Sequence, residues 1–329
     1  MSRYARQMIL PQIGETGQAK ISSAHILIVG AGGLGVPALQ YLVAAGVKRI
    51  TLVDPDHVAQ SNLHRQPIYG GHIGRLKVDA AAEFARTLNP DVDINPLAEW
   101  LTPANAAQYI EAADVVLDCA DSFAVSYTLS DLCFAAVKPF ISASALGLTG
   151  YVGGFCGAAP SLRALFPDLP DRAATCATAG VMGPVVGILG LMQAQMALAH
   201  LIGQMPAPLG QCLRFDFSTF HCHSFRFDGA PEPSTRFHRF IGKDELLPDD
   251  IVVELRSAEE APIPVTDKAL RISPEALIET LKLEKGDSRV VLACRSGLRA
   301  WRAGDQLAAA WSHQQPKAEI VLLASPSFE

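Results

Sequence analysis

Short apolar runs alternate with longer segments of mixed polarity through the first part of the chain. The runs at 25–29, 50–53 and 115–117 carry almost no polar side chains, which is typical of strands buried on both faces of a parallel sheet. Between them, residues 36–45 and 74–88 are predicted to be helices. This order predicts an α/β fold in which the first part of the chain forms a sheet of parallel strands.

Residues 179–202 form the most apolar stretch, which approaches the length of a membrane span. Gln193, Gln195 and His200 interrupt this stretch, and a Gly-Pro pair lies near its start. We therefore favour a buried helix, of the kind found at subunit interfaces, over a membrane helix.

Proline and charged residues are frequent in residues 228–249, which predicts a linker. After it, strand-like runs at 251–256 and 289–293 enclose a helix-like segment at 274–283. The chain ends soon after a last strand-like run, so a closing helix is expected to be short or missing. The predicted divisions are a first domain at 1–228, a linker at 229–248 and a small α/β domain at 249–329.

The composition narrows the class of protein. Hydrophobic residues make up 49% and charged residues 18% of the chain, which fits a soluble α/β protein. The net charge of −6 argues against nucleic acid as the main partner, because phosphate binding needs a basic surface. The N-terminus lacks the pattern of a signal peptide, and the seven cysteines show no paired spacing. We therefore expect a cytoplasmic protein with reduced thiols.

A glycine-rich loop follows the first strand-like run and contains Gly30, Gly32, Gly33 and Gly35. Glycine here permits a tight turn and lets phosphate approach the N-terminus of the following helix. Asp54 ends the next run about 20 residues later, which is the spacing of a carboxylate that binds ribose hydroxyls. This pattern alone favours NAD, and a tight turn without a ligand would also explain it.

Polar residues downstream change that interpretation. Asn62, Arg65 and Gln66 follow the second run closely, and Lys77 lies in the next predicted helix. These residues are expected at the carboxyl edge of the sheet, where ligands bind in such folds. Two cations at that edge favour a nucleotide with several phosphates.

Two carboxylates, Asp118 and Asp121, follow the run at 115–117. Carboxylates at a strand tip can hold magnesium on phosphates. Magnesium, arginine and lysine together suit a triphosphate undergoing transfer, in which charge stabilisation supplies most of the catalysis. Each residue alone has an ordinary explanation, such as a helix cap for Asp118 or a solvated surface position for Lys77. Their order and spacing together favour ATP chemistry.

In this order the motifs resemble the ThiF/MoeB family, bacterial relatives of the ubiquitin-activating enzymes. The matching residues are Arg3-Tyr4-Ala5-Arg6-Gln7, Gly17-Gln18, the glycine loop, Asp54, Asn62-Leu63-His64-Arg65-Gln66, Lys77 and Asp118-Cys119-Ala120-Asp121. The resemblance covers about residues 3–228. It implies a Rossmann-like adenylation domain with a mixed sheet, in which a nucleotide-binding half is followed by a half that ends in antiparallel strands. It also implies ATP-dependent adenylylation of a carboxylate. That carboxylate is usually the C-terminal glycine of a ubiquitin-like sulfur carrier protein that ends in Gly-Gly.

The resemblance also implies roles for single residues. It assigns ribose binding to Asp54, triphosphate binding to Asn62, Arg65 and Lys77, and Mg²⁺ binding to Asp121, with Gln66 and the glycine loop in the same site. Arg6 would reach into the ATP site of a second subunit, which implies a homodimer. Without the resemblance, Arg6 would be interpreted as an exposed terminal arginine.

Many members of the family carry two CxxC pairs that bind a structural zinc. Here Ser161 and Ala164 stand where the first pair would be, and residues 230–235 contain no cysteine where the second would be. Serine and alanine are not effective zinc ligands. We therefore predict that no zinc is bound.

His221 and His223 are candidates for a replacement metal site. They lie in an alternating run at 217–227 that is predicted to be a strand, so Cys222 between them would point to the opposite face. This geometry disfavours a metal site at these residues.

Cys176 directly precedes the long apolar stretch. A thiol at a helix N-terminus has a lowered pKa, because the helix dipole favours the thiolate. In relatives, a cysteine at this place attacks the acyl-adenylate or forms a sulfur-linked intermediate. The alternative is an inert loop cysteine.

Cys294 begins a loop, Cys294-Arg295-Ser296-Gly297-Leu298-Arg299, between a strand-like run and a helix. Backbone N–H groups and two arginines around it would favour a thiolate or a persulfide. The loop resembles the active loop of the rhodanese domain, and the resemblance covers about residues 249–325. The chain departs from that domain at Glu254-Leu255-Arg256, where rhodaneses usually have Asp-x-Arg. The alternative is a docking domain without activity.

These motifs together predict an adenylyltransferase that prepares its carrier for thiocarboxylate formation. Sulfur would come from the rhodanese-like domain, with a cysteine desulfurase as the donor. The same chemistry on a peptide or a tRNA nucleoside is one alternative. An NAD-dependent oxidoreductase leaves Arg65, Lys77 and Asp121 unexplained, and a scaffold that docks the carrier needs no catalysis. The pathway that receives the product, such as thiamin or molybdopterin synthesis, stays open.

Overall fold

The computed structural model describes residues 3–168, 180–233, 238–281, 289–311 and 318–324. The chain separates into two compact units, each with its own sheet. The large unit consists of Met1–Leu101, Asn105–Asp121 and Leu129–Glu232; the small unit consists of Thr102–Ala104, Ser122–Thr128 and Pro233–Glu329.

The large unit is built on a mixed sheet. Within the described residues its strands are β1 (His25–Val29), β2 (Arg49–Val53), β3 (Asp93–Leu97), β4 (Val115–Asp118), β5 (Pro139–Leu146), β6 (Thr149–Cys156), β7 (Gln211–Asp216) and β8 (His221–Arg226). They are ordered β3-β2-β1-β4-β5-β6-β7-β8. The first five strands in this order, from β3 to β5, pair in parallel. Strands β6, β7 and β8 pair antiparallel at the other end of the sheet. The predicted α/β fold with an antiparallel second half is therefore confirmed.

The strand order reverses direction between β1 and β4, the point where open α/β sheets bind ligands beyond the carboxyl ends of their strands. The glycine loop follows β1 and Asp118 ends β4. The topology therefore brings the two principal motifs to the same edge of the sheet.

Helices cover the sheets. Those described are α1 (Ala5–Met8), α2 (Gly14–Ile21), α3 (Gly35–Ala45), α4 (Lys77–Leu88), α5 (Pro103–Ala112), α6 (Phe123–Ala135), α7 (Leu162–Leu165), α8 (Gly183–Ile202), α9 (Leu277–Thr280) and α10 (Leu298–Trp311), with short 3-10 turns at Gln60–Asn62, Pro67–Tyr69 and Lys243–Glu245. Ile26 and Ile28 of β1 share one apolar core with α3, α4 and α8. Burial of that core, at about 25 cal/mol per Å² of apolar surface, is the main force that holds these layers together.

Helix α8 is the apolar stretch of the sequence. It is long and apolar enough to cross a membrane by length and composition, and half of its most apolar window is buried inside the protein. Val185, Leu189 and Ala197 of α8 belong to the core of the large unit. These contacts are those of a core helix, as the interrupting polar residues indicated.

Three predicted elements differ from the structure in their bounds. The predicted strand at 217–227 is wrong at its start, because residues 217–220 form the turn between β7 and β8. The predicted helix at 74–88 begins only at Lys77, because Gly74 adopts a left-handed φ of +85° in the preceding turn. Of the helix predicted at 274–283, the structure describes one turn, α9.

The small unit contains a parallel sheet of β9 (Ile251–Glu254), β10 (Leu270–Arg271), β11 (Arg289–Cys294) and β12 (Glu319–Ala324), ordered β10-β9-β11-β12. Part of the segment predicted as a linker packs against it. The N–H of Ile241 donates to Leu322 O at 2.8 Å, and the Ile241 side chain joins the core of this sheet. Helix α10 follows β11, which places Cys294 between a strand end and a helix start, as predicted.

Candidate functional site

The glycine loop is fixed in place by backbone contacts that exclude other residues. Gly30 has φ +100°, and a Cβ there would lie 2.5 Å from Cys119 O. A Cβ on Gly35 would lie 1.9 Å from Gly30 O. Both glycines are therefore required by the fold itself, whatever the loop binds.

Gly32 and Gly33 differ from those two glycines. A Cβ on Gly33 would collide with Val186 of α8 at 2.7 Å, whereas one on Gly32 would meet only Gln66 Nε2, at 3.7 Å. The protein thus leaves room at Gly32. Gln66 is 2% exposed, and its Oε1 has no hydrogen-bond partner among the described residues. A cradle with spare room and an unsatisfied buried acceptor fits a bound ligand.

Asp54 links the glycine loop to the loop after β2. Its carboxylate accepts the N–H of Ala31 at 2.7 Å and that of Asp56 at 2.8 Å. Burial raises the pKa of Asp54, while the charge of Lys77 and these two N–H groups oppose that shift. A carboxylate held on the loop in this way is well placed for ribose, the role that the resemblance implies.

Lys77 is the first residue of α4 and is only 5% exposed. Its ammonium forms an ion pair with Asp56 at 2.7 Å. The expectation that Lys77 could be a solvated surface lysine is therefore wrong. A buried cation beside the glycine loop and Asp54 suits a phosphate-rich ligand.

Arg65 lies half-buried in the turn that follows the 3-10 segment Gln60–Asn62. Its guanidinium donates to Ser61 O at 3.0 Å and contacts His64 Nε2 at 2.9 Å. The Asn62 side chain accepts the N–H of Ala59 at 3.3 Å and so braces the turn. Within the described residues no carboxylate pairs with Arg65, so its charge is open to an anion.

Asp118 and Asp121 separate into different roles. Asp118 is fully buried, and its carboxylate accepts the hydroxyl of Ser142 at 2.8 Å. Asp121 is exposed and makes no ion pair or hydrogen bond within the described part of the chain. Asp118 is therefore a structural carboxylate, and Asp121 is the one free to meet a metal.

The N-terminal segment that carries Arg6 is attached to the end of α3. The side chains of Gln7 and Gln18 bond to each other, and both donate to Ala45 O, at 3.0 and 3.1 Å. Arg6 itself lies exposed on α1. The structure does not bring Arg6 together with the glycine loop.

Cys176 lies outside the described residues. Cys294 is described and is 1% exposed, with its Sγ accepting the N–H of Ala300 at 3.3 Å. Burial raises the pKa of the Cys294 thiol, and backbone N–H groups of the loop oppose that shift. The expected loop geometry is present, and because desolvation outweighs the N–H groups, the pKa of the Cys294 thiol lies above its ordinary value.

The small unit buries a charged pair near Cys294. Arg256 and Glu254, with side chains 3% and 0% exposed, form an ion pair at 2.7 Å. Glu254 also accepts the N–H of Val265 at 3.1 Å, and the charge of Arg256 interacts with Cys294. Arg299 of the loop is engaged by Glu260 at 2.8 Å. Glu254, which stands where rhodaneses usually have aspartate, thus forms an ion pair with the arginine of the same motif.

Where relatives would carry zinc, this chain has hydrogen bonds. The N–H and hydroxyl of Ser161 donate to the Glu232 carboxylate at 2.7 and 2.6 Å. His221 and His223 stack at 5.0 Å on an exposed face. Across the described ranges, no group of three or more His, Cys, Asp or Glu side chains is arranged to hold a metal.

Three residues of the site were missed from the sequence. Asp56 pairs with Lys77, Tyr69 donates its hydroxyl to Ala31 O at 2.8 Å, and Gln193 of α8 bonds to the end of β4. Burial raises the pKa of Tyr69, so it stays a neutral donor. Only the polarity of Gln193 inside an apolar stretch could have indicated it.

Known proteins resemble the chain in sequence. Residues 4–236 match the ThiF family. The adenylyltransferase and sulfurtransferase UBA4 of Yarrowia lipolytica is 45% identical over 209 residues, which are 61% of this chain and 52% of that protein. The adenylyltransferase and sulfurtransferase MOCS3 of Bos taurus is 44% identical over 218 residues, which are 65% of this chain and 48% of that protein. The chain thus spans about half the length of these relatives.

Solved structures resemble the chain in fold. E. coli MccB with ATP superposes with a TM-score of 0.60 at 21% identity, over 71% of this chain and 74% of MccB. PaaA superposes with a TM-score of 0.58 at 20% identity, over 68% and 72%. The sheet order, the glycine loop and the family match over most of the sequence agree, and the chain belongs to the ThiF family.

Proposed function

We propose that the protein uses ATP to adenylylate the C-terminal glycine carboxylate of a ubiquitin-like sulfur carrier. The observation that carries this proposal is the pair of cations, Arg65 and buried Lys77, beside a glycine loop that also meets Asp54. A dinucleotide for hydride transfer does not need two cations there. A triphosphate whose pyrophosphate leaves does need them.

The first step joins a carrier carboxylate oxygen to the α-phosphorus of ATP. The bond from that phosphorus to the bridging oxygen breaks, and pyrophosphate leaves with the electron pair. Arg65 and Lys77 stabilise the charge on the phosphates. Arg6 of a second copy would complete the site, which makes the active form a homodimer. No general base is required, because the attacking group is already a carboxylate.

Magnesium fits this site as a partner of the nucleotide. Asp121 is exposed and unpaired within the described residues, and no ready-made cluster of ligands surrounds it. Such a site suits an ion held by one carboxylate and by phosphate oxygens. When bound, Mg²⁺ neutralises phosphate charge; Asp121 would hold it.

The second step, in our proposal, uses the small unit as a rhodanese-like domain. A cysteine desulfurase would load Cys294 with persulfide sulfur. That sulfur would attack the acyl-adenylate, AMP would leave, and an acyl disulfide would form. A second thiol, Cys176 or an external thiol, would then cleave the disulfide and release the thiocarboxylate. The buried Glu254–Arg256 pair and the N–H groups around Cys294 support this assignment.

Intact-mass analysis tests the first step. The protein is incubated with ATP, Mg²⁺ and a ubiquitin-like protein ending in Gly-Gly, and AMP attached to the carrier is the expected product. A carrier that lacks the last glycine is the control. If ATP and carrier yield no adduct while NADH binds tightly, the proposal is wrong and the oxidoreductase interpretation replaces it.

A further inference from the structure

One polar side chain lies at the centre of the apolar helix α8. Gln193 is 0% exposed, although an amide buried among apolar groups is costly unless its hydrogen bonds are made. Its Nε2 donates to Asp118 O at 2.6 Å and to Ile141 O at 3.2 Å, and its Oε1 accepts the Cys119 thiol at 3.3 Å. Both donors and the acceptor are therefore used.

These bonds join three elements at one place. Asp118 O lies at the carboxyl end of β4, and Ile141 O lies on the neighbouring strand β5. The thiol belongs to Cys119, whose backbone carbonyl packs against Gly30 of the glycine loop. A hydrophobic residue could fill the volume of Gln193 but could not make these three connections.

The same helix touches the other parts of the nucleotide site. A Cβ on Gly183 would lie 2.5 Å from His64 O, and one on Gly190 would lie 2.2 Å from Leu34 O. Val186 packs against Gly33. With Gln193, these positions follow the spacing of one helix face. Helix α8 thus contacts the turn at His64-Arg65, the glycine loop and the end of β4 from one side.

We propose that Gln193 is a positioning residue for the proposed adenylylation. It fixes the carboxyl end of β4, and with it the segment that carries Asp121, relative to the glycine loop. The inference rests on the proposed function for its catalytic consequence only. Because Asp121 would hold Mg²⁺, loosening this segment should impair the use of magnesium more than the binding of the nucleotide.

The test compares Gln193→Leu with Gln195→Leu. The second variant makes the same substitution two residues along the same helix, at an exposed position. For Gln193→Leu we expect the Mg²⁺ concentration that gives half-maximal ATP–pyrophosphate exchange to rise about fivefold or more. The kcat of exchange should fall about tenfold. The KM for ATP at saturating Mg²⁺ should change by less than about twofold. Gln195→Leu should match the wild type.

A second readout does not depend on activity. Amide hydrogen exchange should be faster at residues 119–121 in Gln193→Leu than in wild type, and unchanged there in Gln195→Leu. If Gln193→Leu does not fold, Gln193→Asn replaces it, because its amide is one methylene too short to reach both carbonyls.

The inference is overturned if Gln193→Leu folds and keeps both the wild-type magnesium dependence and the wild-type rate of amide hydrogen exchange at residues 119–121. It is also overturned if the variant merely melts earlier, with kcat and magnesium dependence intact. If the wild type shows no carrier-dependent activity, the proposed function fails, and the hydrogen-exchange comparison alone still decides whether Gln193 fixes this segment.

Discussion

Lys77 occupies an unfavourable place for a cation. It begins α4, where the partial positive charge of the helix N-terminus opposes an ammonium, and it is nearly excluded from water. Asp56 compensates with an ion pair at 2.7 Å, and the backbone N–H of Lys77 also bonds to Asp56 O at 2.9 Å. Asp56 therefore holds the cation that we assign to the triphosphate.

Replacing Asp56 by Asn should impair both folding and activity. Loss of the carboxylate leaves the Lys77 charge without its partner, which should lower the free energy of unfolding by about 1–3 kcal/mol. The mispositioned ammonium should slow carrier-dependent pyrophosphate exchange by about 10- to 100-fold. Urea unfolding and exchange kinetics measure the two effects.

Asp93→Asn is the matched control, because Asp93 forms an exposed ion pair with Arg49 at 2.9 Å. Its removal should cost less than about 1 kcal/mol and leave exchange unchanged. Equal effects of the two substitutions would contradict the role of Asp56.

Glu254 should make the small unit sensitive to acid. Burial raises the pKa of Glu254, but the hydrogen bonds and charge of Arg256 outweigh it, so the net pKa is lowered. A carboxylate with a lowered pKa stabilises the fold above its ordinary pKa of about 4.3 and loses that contribution as pH falls through the folded value.

Glu254→Gln should therefore be less stable than wild type by about 3–5 kcal/mol near neutral pH, since it removes the carboxylate from the buried ion pair with Arg256. This deficit should shrink below about pH 4.3, as the wild type also loses the charge. Urea unfolding between pH 7 and pH 3, followed by tryptophan fluorescence, measures the difference. A deficit that is constant with pH would contradict the ion-pair account.

At the residue scale, motif positions could be predicted from the sequence, but their surroundings could not. The glycine loop, Asp54 and Lys77 lie where spacing placed them. The burial of Lys77 could not be foreseen, because its partner Asp56 lies about 20 residues earlier, in the loop after β2. The raised pKa of Cys294 was missed for a related reason: the sequence showed the nearby N–H groups and arginines but not the degree of burial.

At the scale of the elements, α8 packs closely against the start of α3. Gly190 faces Leu34 O so closely that a methyl group would lie 2.2 Å from it, whereas Gly187 on the same helix has nothing within 4 Å. The two glycines thus have opposite requirements. Gly190 permits close approach of α3, and Gly187 is free to be replaced.

Gly190→Ala should therefore destabilise the large unit by about 1–3 kcal/mol or more, because backbone must move to admit the methyl group. Gly187→Ala should instead be neutral or stabilise by up to about 1 kcal/mol, as alanine is the better helix former. Thermal unfolding of both variants tests this contrast. A stable Gly190→Ala protein would show that α8 does not pack as described.

The periodicity of the sequence predicted most elements, but it failed where an alternating pattern continued through a turn. The run at 217–227 alternates in polarity throughout, yet residues 217–220 turn the chain between β7 and β8. Phe220 adopts a left-handed φ of +54° there without being glycine. Neither Gly nor Pro marked that turn, so the pattern suggested one long strand.

On the scale of the whole molecule, two sheets carry two chemistries in our proposal. The large unit would activate the carrier, and the small unit would supply sulfur through Cys294. The six cysteines that the structure describes are all free thiols, and five of them, including Cys294, are buried. If the two units carry out different steps, a substitution in the small unit should impair sulfur transfer without impairing adenylylation.

Cys294→Ala should leave adenylylation of the carrier intact and reduce thiocarboxylate formation by at least about 100-fold, because the persulfide site is lost. Cys222→Ala, which removes the exposed thiol on β8, should affect neither step. Mass spectrometry of the carrier distinguishes adenylate from thiocarboxylate. Normal thiocarboxylate formation by Cys294→Ala would remove the small unit from the sulfur path.

The most direct test of the central proposal is carrier-dependent ATP–pyrophosphate exchange, measured for the wild type, Asp121→Ala and Asp91→Ala. Asp91 is an exposed carboxylate away from the glycine loop. We predict exchange that requires a ubiquitin-like protein ending in Gly-Gly, is abolished by Asp121→Ala and is unaffected by Asp91→Ala. Absence of exchange with every such carrier would contradict the adenylyltransferase assignment. Full exchange by Asp121→Ala would contradict the role of Asp121.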